Sequence, residues 1–193
     1  LHEICSPKIH ALSQLILLSR SEHNKSFKNF KPSDFRCMIF VERRITARIL
    51  CDLLRWRYDY EQKNTSNGMV STRKKVNLKC GYIVGNSLSN SSNNDNCNQD
   101  LNSELKERKE ISEKIGLRAA KAMNKFKSGK LQILVSTEAC SEGIDVPECG
   151  LVISFDHLKN VRQFMHTRGR ARASNGIFYS MIDEFSTQKE KLV

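Results

Sequence analysis

The sequence predicts an α/β domain in which a mostly parallel sheet is covered by helices on both faces. Three observations carry that expectation. Short apolar runs of strand length recur at 37–41, 80–84, 131–135 and 151–155 without polar alternation, as strands buried on both faces require. Stripes at helical spacing lie before and between them. The resulting order, β-α-β-insert-α-β-β-α-β after a leading helix, is that of right-handed crossover units.

Ser6 is placed to accept from the orphan N–H groups of a first helix, and Pro7 suits its first turn because the missing donor costs nothing there. Ile9, Leu12 and Ile16 recur at helical spacing, joined by Leu15 and Leu18, and a polar connection is expected over 19–36. Cys37–Val41 reads as a buried parallel strand. Beyond Glu42, the residues Ile45, Ile49 and Leu53, with Leu50 and Leu54, give a second amphipathic helix. Residues 57–79 read as a basic insert carrying Arg73, Lys74, Lys75 and Lys79. A short strand follows at 80–84.

Residues 86–103 form a low-complexity stretch in which twelve of eighteen are Asn or Ser, so it buries too little to offset its ordering entropy and is expected as a surface loop. The mixed charges of 104–114 read as a solvated face. Ala119, Met123 and Phe126 make a helical stripe that Ser128-Gly129 ends. Strands at 131–135 and 151–155, a helix over 160–167 and a last strand at 177–182 complete the series.

Composition bounds the function. The 193 residues carry 32 Lys+Arg against 21 Asp+Glu, a formal net charge of +11, which points to a polyanionic partner. No run of 18 apolar residues exists, so a spanning helix and a membrane role are not expected. The Leu1-His2-Glu3 start reads as part of a longer chain. Seven cysteines at 5, 37, 51, 80, 97, 140 and 149 include no Cys-x-x-Cys pair, so free thiols in a reducing compartment, cytoplasmic or nuclear, are expected and no metal site is.

Three segments carry chemistry. Thr137 to Asp145 follows a strand end, where ligands collect in open α/β sheets. A hydroxyl there can bond a phosphate, Gly143 allows close backbone approach, and Asp145 can accept from a ribose or an arginine. His166-Thr167-Arg168-Gly169-Arg170-Ala171-Arg172 crowds three guanidinium forks, which match phosphoryl oxygens and cannot lose their charge. Glu42-Arg43-Arg44 places two arginines just past another strand end. All three segments are expected at one edge of the sheet. Taken singly, each is equally compatible with a capped turn, a solvated charge run or a helix start.

In order and spacing, these segments resemble motifs IV, V and VI of the C-terminal RecA-like lobe of superfamily-2 helicases, those of Dicer and Dicer-like proteins above all. CMIFVERRITARIL is similar to motif IV, LQILVSTEACSEGIDVPECGLVISFD to motif V with its following strand, and FMHTRGRARA to motif VI. The resemblance implies one RecA-like lobe over 1–193, with inserts at 86–103 and about 57–79. It also implies that Arg170 and Arg172 are arginine fingers reaching ATP and Mg²⁺ held mainly by a separate N-terminal RecA-like lobe. Gly143, Asp145, His166 and Gly169 would then belong to the nucleotide side, and Thr137 and Arg43 would contact the backbone of double-stranded RNA.

His166 stands where Dicer relatives usually carry Gln, and Arg172 follows Arg170 at the two-residue Dicer-like spacing. Neither a G-x-x-x-x-G-K-[ST] loop nor an acidic Mg²⁺-binding motif II is found, so these residues alone are expected to be inactive. The alternatives are a lobe of another superfamily-2 helicase or RNA-sensor ATPase without a nuclease, a lobe that has lost activity, and a non-catalytic basic nucleic-acid-binding module.

Overall fold

The computed structural model of the chain describes residues 6–26, 34–64, 78–85, 99–137, 146–158, 161–171 and 176–182. Its elements are α1 (Pro7–Ser26), β1 (Cys37–Val41), α2 (Arg44–Asn64), β2 (Cys80–Ile83), α3 (Gln99–Lys127), β3 (Ile133–Thr137), β4 (Leu151–Ser154), α4 (Val161–Arg168) and β5 (Ile177–Ser180). All four strand pairings are parallel, in the order β2-β3-β1-β4-β5.

Handedness decides which face each helix covers. The β1-to-β2 crossover runs one way along the sheet, while those to β3, β4 and β5 run the other way. With every crossover right-handed, the two directions put their connections on opposite faces. Accordingly α2, with α1, packs on one side through Leu12, Ile16, Leu50, Leu54 and Tyr58. On the other, Met123 and Phe126 of α3 pack with Val146 and Cys149 against Met38, Leu134 and Val152. The expected two-sided parallel sheet is present.

Several boundaries and faces differ from the expectation. Ser6 does cap α1, its Oγ accepting from the Ile9 N–H at 3.4 Å. The helix continues to Ser26, into the expected polar connection, with Ser19 buried in its path. Leu18 is exposed, as are Ile45 and Ile49 on α2, whose buried stripe is Ala47, Leu50, Cys51, Leu54 and Tyr58. Two apolar stripes compete on α2, and only one can meet the sheet. α2 also runs to Asn64, into the expected basic insert, whose residues 65–77 lie outside the described ones.

Helix α3 begins at Gln99, so the last residues of the expected loop and the whole charged run to Lys114 are helical. Glu, Lys and Arg are good helix formers, and Glu110 pairs with Lys114 one turn on at 3.6 Å. Gly116 sits within this helix with nothing within 4 Å of the position a Cβ would take. Gly116→Ala is therefore expected to stabilise the fold by about 0.5–1 kcal/mol, raising Tm by about 2 °C in thermal denaturation. Gly129, just past α3, has φ 72° and is the contrasting case. Gly129→Ala should cost about 1–2 kcal/mol, because an L side chain in the left-handed region meets its own backbone.

The amino-end edge of the sheet is fastened by two polar side chains. Gln132, 8% exposed, donates from Nε2 to the Gly129 carbonyl at 2.7 Å and accepts from the Lys79 N–H at 2.9 Å. Arg36 donates from Nε and Nη2 to the Phe126 and Lys127 carbonyls at the end of α3, where a cation also meets the negative pole of the helix. The opposite, carboxyl-end edge is where the predicted ligand-contacting residues begin.

Candidate functional site

At the carboxyl-end edge the central strand ends lie side by side. Val41 is in register with Thr137, and Phe40 with Ser154. Thr137 is buried at the last position of β3. Arg43 is exposed in the turn between β1 and α2, and its carbonyl accepts the Ala47 N–H of the first helical turn. The first turn of α2 has no acidic residue and opens on Arg44, with Glu42 just before Arg43, so the positive pole of α2 follows the β1 end that pairs with Thr137. Backbone amides, hydroxyls, arginines and helix N-termini are the groups that hold nucleic-acid phosphates.

Asp156, which the sequence did not single out, holds this edge in shape. Its Oδ2 accepts the Glu42 N–H at 2.7 Å, and its carbonyl accepts from Ser154 Oγ at 3.0 Å. The carboxylate thereby fixes the residue just before Arg43. A carboxylate directly after a buried strand was the available signal, but only the β1–β4 pairing reveals what it binds.

The arginine-rich segment lies elsewhere. α4 crosses back over the sheet, with Phe164 packed edge-on against Phe178 of β5 at 5.6 Å. Its eight residues span about 12 Å, comparable to the length of the four-residue β4 beneath. Gly169 and Arg170 follow its end. The Gly169 N–H donates to the Met165 carbonyl at 2.9 Å, and a Cβ at Gly169 would lie 3.0 Å from that same oxygen.

Arg170 is half-buried, and the adjacent Ala171 packs against the cluster that holds Cys149, which precedes β4 at the amino-end edge. Burial pushes that thiol up to about 12, with the Arg36 and Arg170 charges opposing the shift, so Cys149 is neutral at physiological pH and no nucleophile.

The expectation of one shared edge therefore holds for Thr137 and Arg43 and fails for Arg170. The reason is topological: a parallel crossover must bring the chain back to the amino-end edge before the next strand begins. His166, also exposed, rides on α4 ahead of that return. Gly143, Asp145 and Arg172 lie outside the described residues. Val146 and Cys149, which end the connection carrying the first two, pack on the face that α4 covers through Phe178.

Among the described residues no group of three or more His, Cys, Asp or Glu is arranged to hold a metal ion, and no helix is long and apolar enough to cross a membrane. Cys37, Cys51, Cys80 and Cys149 are free and buried, as small hydrophobes should be, while the other three cysteines lie outside the described residues.

Comparison with known proteins places these features. The helicase conserved C-terminal domain family matches residues 7–174. Dicer-like protein 1 of Aspergillus oryzae is 27% identical over 186 residues, covering 96% of this chain and 10% of that protein. Endoribonuclease Dicer homolog 2 of Arabidopsis thaliana is 33% identical over 158 residues, 78% of this chain and 8% of that one. The chain thus spans about a tenth of the length of the curated relatives it matches. Among solved structures, the DEAD-box protein SrmB of E. coli aligns over 86% of this chain and 71% of that chain, with 20% identity and a TM-score of 0.47.

Proposed function

Because the chain belongs to the helicase conserved C-terminal domain family, we propose that it is the second RecA-like lobe of an ATP-driven motor that engages double-stranded RNA within a Dicer-like protein. The observation that supports this most is the separation of two cationic regions on one sheet. Arg43 and Thr137 stand at its carboxyl-end edge, and Arg170 follows α4 beside Ala171, which packs toward the amino-end edge with Cys149. A lobe that must grip RNA and also reach a nucleotide on a neighbouring lobe needs two such regions.

In this reading Thr137 and Arg43 hold the RNA backbone, and the Asp156 carboxylate positions the turn that carries Arg43. The nucleotide chemistry fits the donor set on the α4 face. Arginine forks bind phosphoryl oxygens bidentately and stay charged when part-buried, as Arg170 is. ATP, when bound, supplies the transferable γ-phosphoryl group. The chain's own part is to place the Arg170 and Arg172 charges against it, with Gly143, Asp145, His166 and Gly169 on the nucleotide side.

Mg²⁺ is assigned, with most of the ATP site, to the separate N-terminal lobe. The lobe alone is then inactive, and cleavage of RNA belongs to other parts of the parent. The buried free thiols suit a reducing compartment, the cytoplasm or the nucleus.

The RNA edge is tested by Arg43→Ala in the parent protein. Losing one charge-assisted phosphate contact should raise the RNA concentration for half-maximal stimulation of ATP turnover about tenfold. It should also flatten the slope of log affinity against log salt by about one. An unchanged RNA requirement with an unchanged salt slope would remove Arg43 from the interface.

A further inference from the structure

The sheet's other cationic feature lies away from both regions. Among the described residues β2 is an edge strand, and beside it runs a groove of about 280 Å³. α3 supplies one wall through Arg118, Lys121 and Lys125, which the three- and four-residue spacing stacks on one helix face. α2 contributes Arg55, whose Nε donates to the Cys80 carbonyl at 2.8 Å. Val84, Ala122 and Leu131 provide apolar lining. Arg118, Lys121 and Lys125 line the groove with no carboxylate among the lining residues, while the fourth cation, Arg55, also pairs with Asp52 at 3.2 Å. Leu131 fills space that Gly81 leaves, since a Cβ there would lie 2.6 Å from Leu131 Cδ1.

We propose that this groove docks an extended acidic segment of a partner protein, with alternate apolar side chains on the groove floor and main chain laid along the β2 edge. Strand addition to an exposed edge supplies main-chain hydrogen bonds, and side chains of period two reach the pockets beside it. The Lys79 carbonyl already serves β3, accepting from the Gln132 and Ile133 N–H groups. By the alternation of a parallel ladder, the peptide groups of Cys80 and Tyr82 face outward. Arg55 covers the first of these.

Charge complementarity selects the occupant: a run of Asp and Glu satisfies the cationic walls, and apolar side chains satisfy the floor. A phosphodiester backbone meets the first condition but has nothing to place on Leu131 and Val84. The proposal stands independently of any assignment of Arg170 to ATP.

The test uses the full chain and three fluorescent probes: a twelve-residue peptide alternating Asp/Glu with Leu/Phe, its counterpart with Ser for Leu/Phe, and a blunt RNA duplex. The apolar peptide should bind at least about tenfold more tightly than the serine peptide, because only it buries apolar surface. Arg118→Glu/Lys121→Glu/Lys125→Glu, at exposed positions where glutamate keeps the helix, should weaken it at least about tenfold. Circular dichroism checks the fold. Should the triple variant unfold, Lys121→Glu alone should weaken binding about threefold.

Equal binding of the two peptides, or peptide binding that ignores charge reversal, overturns the proposal. So does charge reversal that weakens only the duplex, which makes the stripe an RNA contact. Alanine at the three positions causing self-association of a chain that binds no peptide also overturns it, because the cations would then merely guard a bare edge.

Discussion

Replacing Arg170 by alanine in the parent protein is expected to lower RNA-stimulated ATP turnover at least about a hundredfold, the scale seen when a charge that stabilises a transferring phosphoryl group is removed. The local structure makes the loss specific. Arg170 follows α4 through Gly169, its own N–H donates to the Thr167 carbonyl at 3.2 Å, and Thr167 is buried. The backbone that presents the guanidinium is thus fixed by contacts that the side chain does not make, and alanine should leave them in place. Arg170→Lys should recover little, because a point charge does not reproduce a planar fork. Turnover measured at saturating ATP and RNA checks both variants. Activity within about threefold of the parent would end the assignment of Arg170 as a finger.

The largest effect expected on stability comes from a residue with no part in the proposed chemistry. Gln132 joins the end of α3 to the start of β2, with one hydrogen bond to each at 2.7 and 2.9 Å. Gln132→Ala leaves the buried Gly129 carbonyl and the part-buried Lys79 N–H without these partners, at about 1–3 kcal/mol, or roughly 3–9 °C in Tm. Gln132→Glu separates the two halves. Its carboxylate still accepts from Lys79, but it faces the Gly129 carbonyl with oxygen against oxygen, so most of the loss should remain. Thermal or urea denaturation reads both, and a change under about 0.5 kcal/mol for alanine would show that water replaces the amide.

The strand order along the chain and the two-sided sheet were legible because buried parallel strands must be apolar in unbroken runs, and Cys37–Val41 and Leu151–Ser154 are such runs. The cap of α1 was legible because Ser6 and Pro7 act within one turn of each other. What escaped depends on distant partners. Periodicity gave α2 two stripes and could not say that Leu50 and Leu54, rather than Ile45 and Ile49, meet the sheet. Composition began the α3 signal too late in the chain, since Glu, Lys and Arg favour a helix by propensity without an apolar stripe.

The candidate site divides along the same line. Thr137 and Arg43 were placed at the carboxyl-end edge because Thr137 ends β3 and Arg43 lies two residues past β1. Arg170 was misplaced because a whole helix separates it from β4, and that helix reverses its position along the sheet. Asp156 and the groove beside β2 were missed because each is defined by residues far apart in sequence: Asp156 with Glu42, and Arg55 with Lys121.

As the proposed finger, Arg170 should act on the transition state of phosphoryl transfer rather than on resting nucleotide. Its most direct test is binding of ADP with aluminium fluoride, against binding of a non-hydrolysable ATP analogue, by the parent protein and its Arg170→Ala variant with RNA present. Affinity for the transition-state mimic should fall at least about tenfold while affinity for the ATP analogue changes less than about threefold. Equal losses for both ligands, or no loss for either, would contradict it.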